Sequence, residues 1–187
     1  MFQTAELGQK VSKKTFKEQE RLLRTNLLAL QQDLRRNGTF SVLVDFAGVR
    51  GAGKGSSANL LNKWMDARWI RTHAYDEPTD EEAQRPAFWK FWRHMPSRGQ
   101  VGIHMSGRYS RPLLDYVYGQ IDVSEFKHQL DRINNFEKAL SDDGTMVQKF
   151  WMHISKEVQK ERLESLESDP LRSWRMSDLD WKHYEMY

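Results

Sequence analysis

With 187 residues, and 29 lysines and arginines against 26 aspartates and glutamates, the chain has the length of one domain and a formal charge of only +3. Its 39% hydrophobic and 12% aromatic content is too rich for global disorder, and the absence of cysteine excludes disulfide scaffolds, thiolate metal sites and thiol nucleophiles. No apolar run approaches the ~18 residues that span a bilayer, and residues 1–10 lack the apolar centre of a signal peptide, so a cytoplasmic protein without membrane contact is expected.

Residues 13–36 contain neither glycine nor proline, and Phe16, Leu22, Leu23, Leu27, Leu30 and Leu34 recur at helical spacing. The pattern predicts an amphipathic helix that stops at Asn37-Gly38, with Lys10, Lys13, Lys14, Lys17, Arg21 and Arg24 as a basic stripe facing solvent or a partner. Residues 40–46 read as a short buried strand. A glycine cluster follows, and then helical periodicity over 56–68 through Leu60, Leu61, Trp64 and Met65.

A second strand is predicted over 70–75, ended by Glu77-Pro78. Thr79 and Glu82 have capping-box spacing, so a helix starts near Asp80 and runs to about His94, kinked at Pro86. Residues 101–105 form the third strand, 106–111 a polar loop and 112–118 a short helix. Ser124 opens a longer helix through Phe126, Leu130, Ile133, Phe136 and Leu140, closed by Asp143-Gly144. Residues 146–154 alternate as a fourth strand, Ser155 caps a helix to about Glu167, and 171–187 carry a further helix-like pattern. Strands alternating with helices argue for an α/β fold with a doubly wound parallel sheet flanked by helices, whose ligands lie beyond the carboxyl ends of the strands. Trp64, Trp69, Trp89, Trp92, Trp151, Trp174 and Trp181 sit at helix or strand periodicity and read as core or interface residues. The six histidines show no metal-ligand spacing, so no structural zinc is expected.

Gly48-Val49-Arg50-Gly51-Ala52-Gly53-Lys54-Gly55-Ser56 fits G-x-x-x-x-G-K between a strand and a helix. Small residues at Gly48, Gly51, Ala52, Gly53 and Gly55 let the backbone wrap an anion, and the helix amino terminus adds about half a positive charge there. Lys54 is the candidate for the transferring phosphates, and Ser56 or Ser57 for a metal or a phosphate oxygen. The plain alternative is a glycine turn capped by a surface lysine.

The glycine loop stands beside several other blocks: residues 60–68, Pro78-Thr79-Asp80-Glu81-Glu82 with Arg85-Pro86 and Phe91-Trp92-Arg93, Gly102-Ile103 with Tyr109 and Arg111, residues 149–156, and Trp174-Arg175 with Asp180-Trp181. In this order they resemble the polyphosphate kinase 2 family, and within it the amino-terminal half of tandem-domain polyphosphate:AMP phosphotransferases. The resemblance implies a P-loop kinase-like fold with a helical lid, Mg²⁺ as metal, inorganic polyphosphate as donor and AMP or ADP as acceptor. It also implies a homo-oligomer and a second kinase domain carboxyl-terminal to this one. On that reading residues 1–187 are one domain, with an amino-terminal helix over 1–38, a core over 39–154 and lid-like helices over 155–187. Lys54, and Arg111 by its match in the third-strand block, are the catalytic candidates.

Two departures from the active pattern each remove a carboxylate. Arg50 stands where the family carries an Asp in the loop, and Met105 where it carries an Asp at the end of the third strand. Mg²⁺ prefers carboxylate and phosphate oxygens, so a guanidinium and a thioether are poor replacements. The acid-to-Arg50 exchange moves the local charge by about two units, worth several kcal/mol at ~4 Å even in a high effective dielectric. The expectation is a domain that holds phosphates without transferring them, with no metal site and with Arg50, Arg93 and Arg108 lining a basic surface. Two competing expectations are an active domain in which Asp45, Asp76 or Glu77 supplies the missing ligands, and a scaffold for oligomerisation with an empty loop. A nucleic-acid module is the weaker runner-up, because the net charge is small and no reader motif occurs.

Overall fold

Four parallel strands, β1 (Ser41–Gly48), β2 (Ile70–Ala74), β3 (Val101–Met105) and β4 (Thr145–Met152), form one sheet in the order β2-β3-β1-β4. The computed structural model describes residue 6, residue 8 and residues 10–187, so part of the predicted amino-terminal segment lies outside the described residues. α1 (Lys13–Asn37) precedes β1. Parallel neighbours need crossover connections, and these are supplied by α2 (Lys54–Trp64), the single turns α3 (Asp80–Ala83) and α4 (Trp89–Trp92), α5 (Ser110–Val117) and α6 (Val123–Asp142). After β4 come α7 (Lys156–Glu167), a 3₁₀ turn (Ser173–Arg175) and α8 (Asp178–Glu185).

β1 lies between two neighbours and is buried along most of its length, as its largely apolar run, interrupted at Asp45, requires. One face packs Val44, Phe46, Val101, Ile103 and Ile70 against Ala58 of α2 and Leu34 of α1. The other packs Leu43 against Phe91 of α4 and against Phe136 and Leu140 of α6. Leu43, Ile103, Ile133 and Leu163 are fully buried, each worth about 1.5–3 kcal/mol of apolar transfer. These two layers make the doubly wound, P-loop kinase-like architecture that the sequence predicts.

The helix expected over residues 80–94 is instead two single turns. The Thr79 capping box forms as predicted, but Pro86 cannot continue the ladder and Phe88 turns at φ 69, so α4 starts afresh. α2 begins at Lys54, two residues earlier than expected, because the glycine bend itself opens the helix. It ends at Trp64. The tryptophans divide: Trp64 is buried, whereas Trp92, Trp151 and Trp174 are among the exposed large apolar residues. Periodicity identifies a helix face without saying whether another element covers it. Among the described residues, no helix is long and apolar enough to cross a membrane.

Candidate functional site

The bend that carries the glycine motif follows β1 directly. Gly48 has φ 118, and a Cβ there would drive into the Met152 carbonyl of β4, so only glycine lets the two strand ends lie this close. The backbone returns this proximity as a hydrogen bond from the Val49 N–H to Met152 O at 3.1 Å. Gly51 and Gly53 also adopt positive φ, 80 and 101. Gly53 is the residue before α2, so the orphan N–H groups of the first turn begin at Lys54, Gly55 and Ser56. Ser57 N–H returns to Gly53 O at 2.9 Å. Ala52 is buried beneath the bend. Glycine spacing, helix start and strand end thus meet at one place, as the motif requires.

Lys54 folds over its own loop. Its Nζ donates to the Gly48 carbonyl at 2.6 Å and to the Val49 carbonyl at 2.9 Å. Burial, joined by the nearby Arg50 guanidinium and opposed by Asp180, lowers its pKa to about 8. Two further carbonyls of the loop are held from α7: Gln159 Nε2 donates to Arg50 O at 3.0 Å, and Arg162 Nη1 to Gly51 O at 2.7 Å. Arg50 reaches outward to the carboxyl-terminal segment, pairing with Asp180 at 3.0 Å and donating to the Arg175 carbonyl at 2.5 Å. Sequence reasoning does not find Gln159 and Arg162 as loop supports. Both lie on the helix after β4, and only the β1–β4 pairing brings that helix to the bend.

The other expected members of a basic lining are elsewhere. Arg108 is not on the surface at all: its side chain is fully buried, with Nη2 2.6 Å from Asp45 Oδ2 and 3.2 Å from Glu137 Oε1. The cause is the turn at the end of β3, where Ser106 takes φ 53 and directs Arg108 back onto the α6 face of the sheet. Arg93 lies with its guanidinium 4.7 Å from the Trp89 ring centre, on the segment that packs against the same α6 face and not on the α2 side. Arg111 is paired with Glu77 and, at 2.7 Å, with Asp115.

Around Arg108 a polar cluster fills the α6 face between β3, β1 and β4. In the strand register Asp45 stands opposite His104 on one side and Lys149 on the other. Lys149 donates to Glu137 at 2.7 Å and to the Tyr109 hydroxyl at 3.0 Å, and Tyr109 donates to Glu137 at 3.0 Å. Burial pushes the Asp45 carboxyl up, against the pull of Arg108. Burial likewise drives His104 down to about 3, against its contact with the His94 carbonyl, so its imidazole is neutral.

These positions decide how the donors suit a metal. Met105 packs its thioether into the cluster with Val44, Phe46 and Ile103, and Arg50 brings a cation to the loop. Of the acids proposed as replacements, Asp45 is held by Arg108 and Glu77 by Arg111, while Asp76 is exposed. Among the described residues no group of three His, Asp or Glu stands close enough to hold a metal ion. Mg²⁺ at a phosphate site takes one or two protein carboxylates together with waters and phosphate oxygens, and the two acids nearest at hand, Asp45 and Glu77, are each paired with an arginine.

The sequence model of polyphosphate kinase 2 matches residues 10–187. The polyphosphate:AMP phosphotransferase of Pseudomonas aeruginosa is 42% identical over 187 residues, which is all of this chain and 38% of that protein. The GDP-polyphosphate phosphotransferase of Mycobacterium tuberculosis is 28% identical over 181 residues, covering 94% of this chain and 61% of that one. Among solved structures, a polyphosphate kinase 2 from Pseudomonas aeruginosa superposes with a TM-score of 0.84 at 37% identity, over all of this chain and 37% of its own. That from Arthrobacter aurescens gives 0.88 at 28% identity, over 96% and 65%. The chain therefore spans about two fifths of the length of the polyphosphate:AMP phosphotransferases it matches. With the glycine bend, the strand order and the family match over nearly its whole length in agreement, the chain belongs to the polyphosphate kinase 2 family, a family of kinases.

Proposed function

We propose that these residues form one domain of a longer polyphosphate-dependent nucleotide phosphotransferase, and that this domain binds polyphosphate at its glycine loop without carrying out transfer to AMP or ADP. The observation that carries this reading is the state of the carboxylates at the carboxyl end of the sheet. The two family positions are Arg50 and Met105, and the nearby acids Asp45 and Glu77 are engaged by arginines. Phosphoryl transfer needs its charge neutralised and its partners aligned by metal and cations. A loop that offers backbone N–H groups, Lys54 and Arg50 supplies attraction for an anion and lacks the acids that would seat the ion. The domain then serves a catalytic partner domain by holding polyphosphate or packing beside it.

The test uses the 187-residue protein. Polyphosphate affinity should fall with ionic strength and on Lys54→Ala, and a coupled assay with polyphosphate, AMP or ADP and Mg²⁺ should give no turnover. Robust turnover, abolished by substitution of Asp45, Asp76 or Glu77, would establish the active reading instead. Binding that ignores both salt and Lys54 would leave only a scaffold.

A further inference from the structure

Arg50 ties the loop to a segment that is held by polar and ring contacts without a buried side chain of its own in α8. Its partners are the 3₁₀ turn Ser173–Arg175 and α8, and α8 contains no buried residue. Besides the Arg50 tie, α8 makes contacts on two sides: Trp181 donates to Glu167 at 3.2 Å and the Lys156 ammonium lies 5.2 Å from the Tyr184 ring, while the Tyr118 ring lies 5.8 Å from that of His183 and 5.1 Å from the Lys182 ammonium. Just past the helix the Tyr187 hydroxyl donates to the Ile154 carbonyl at 2.8 Å. Elements held this way open at low cost, because few apolar contacts are lost.

The carboxylate at the centre of the tie is fixed in place. Asp180 Oδ2 accepts from the Ser177 N–H at 3.0 Å and from its hydroxyl at 3.2 Å, which closes the capping box of α8 and leaves Oδ1 for Arg50. The Asp180 side chain is 13% exposed and that of Arg50 44%. The same carboxylate favours the charged form of Lys54, so it sits within electrostatic reach of both loop cations. A carboxylate oxygen aimed at a guanidinium beside an ammonium presents the negative charge and the acceptor that a phosphate oxygen would present.

We propose that Asp180 is an internal anion that latches α8 onto the glycine loop, and that a phosphate unit of polyphosphate takes its place on Arg50 and releases α8. The inference rests on the phosphate-binding reading above. Two anions cannot share Arg50 without repulsion, so filling the loop and seating α8 are competing states of one switch.

Calorimetric titration with long-chain polyphosphate at fixed ionic strength, combined with amide hydrogen exchange, tests this. Ligand should slow exchange over residues 48–56 and speed it over residues 178–185. Asp180→Asn keeps an oxygen for Ser177 while removing the charge, and should tighten binding about fivefold. Asp178→Asn makes the same charge change on the same helix without touching Arg50, and should alter affinity less than about twofold. If Asp180→Asn gains no more than Asp178→Asn and α8 exchange ignores the ligand, the latch is wrong, while Lys54-dependent binding would leave the phosphate-binding reading standing. Polyphosphate binding to neither the wild type nor Asp180→Asn overturns that reading and the latch with it.

Discussion

Arg108 and Arg50 each grip a carboxylate, at 2.6 Å from Asp45 and 3.0 Å from Asp180, and they stand at the exits of adjacent strands. The first is sealed between the sheet and α6. The second is open to water on the rim of the glycine loop. Inside the protein Asp45 forms no other ion pair among the described residues, while Glu137 is shared with Lys149, so the Arg108–Asp45 pair is permanent architecture. On the rim water and any incoming anion compete for Arg50, so the pair is exchangeable. Identical chemistry thus gives a framework in one place and a contact that a ligand can take over in the other, and burial is the variable that separates them.

Removing the buried cation should have the largest effect. Arg108→Leu strands Asp45 without a partner and takes one from Glu137, and should cost about 3–5 kcal/mol in urea unfolding. Replacing Asp45 by Leu as well removes the orphaned charge and should recover much of that loss, since apolar pairs of similar volume often equal a buried ion pair. A single variant within 1 kcal/mol of the wild type would mean that the cluster is not what organises this face.

Next in size is the loop's own backbone. Gly48→Ala forces a side chain into the Met152 carbonyl at φ 118 and should cost about 2–3 kcal/mol. Gly55→Ala, in the first turn of α2 with nothing within reach of a Cβ, should be neutral or stabilising by up to ~1 kcal/mol. Equal losses at the two positions would show that glycine serves the loop only by flexibility, and not by the close approach of β1 to β4.

A third measurement separates the dry cluster from the wet loop by pH. His104 has a folded pKa near 3 against 6.5 in the unfolded chain, so between these values only the unfolded chain takes up the proton. Stability is therefore lost as pH falls below 6.5. From pH 7 to pH 5 the loss assigned to His104 is about 2 kcal/mol. His104→Gln should flatten that part of the profile, and an unchanged slope would place the acid sensitivity elsewhere.

Much of the frame is legible in the sequence because local signals and burial agree there. The apolar run of β1, the Asn37-Gly38 stop, the Thr79 capping box and the glycine bend all appear where the residues put them. Arg108 is not legible, because its fate depends on the local turn at Ser106 and on two distant positions, Asp45 and Glu137, that only the assembled sheet brings together. A lone arginine in a polar loop reads as surface on every local criterion. The Arg50 to Asp180 contact fails for the same reason. Both residues are visible in the sequence, one as a departure in the glycine loop and the other within a carboxyl-terminal block of the family resemblance, but nothing local links the two.

The smallest expected effect is the one that reports directly on the wet side. Lys54 has a pKa near 8, set by burial and by Arg50, so in the free protein its charged fraction falls from most of the molecules at pH 7 to few at pH 9. The sign is fixed: raising pH removes a cation from the loop, and polyphosphate affinity should fall by up to about tenfold over that interval, the worth of one charge-assisted hydrogen bond. Lys54→Arg keeps its charge throughout and should flatten the profile even if its absolute affinity is lower. Arg50→Gln should move the midpoint upward, because the guanidinium no longer disfavours the ammonium beside it. A profile that is flat in the wild type would place the bound phosphates away from Lys54. The loop would then be a structural bend, and the exchangeable contact at Arg50 would have nothing to exchange with.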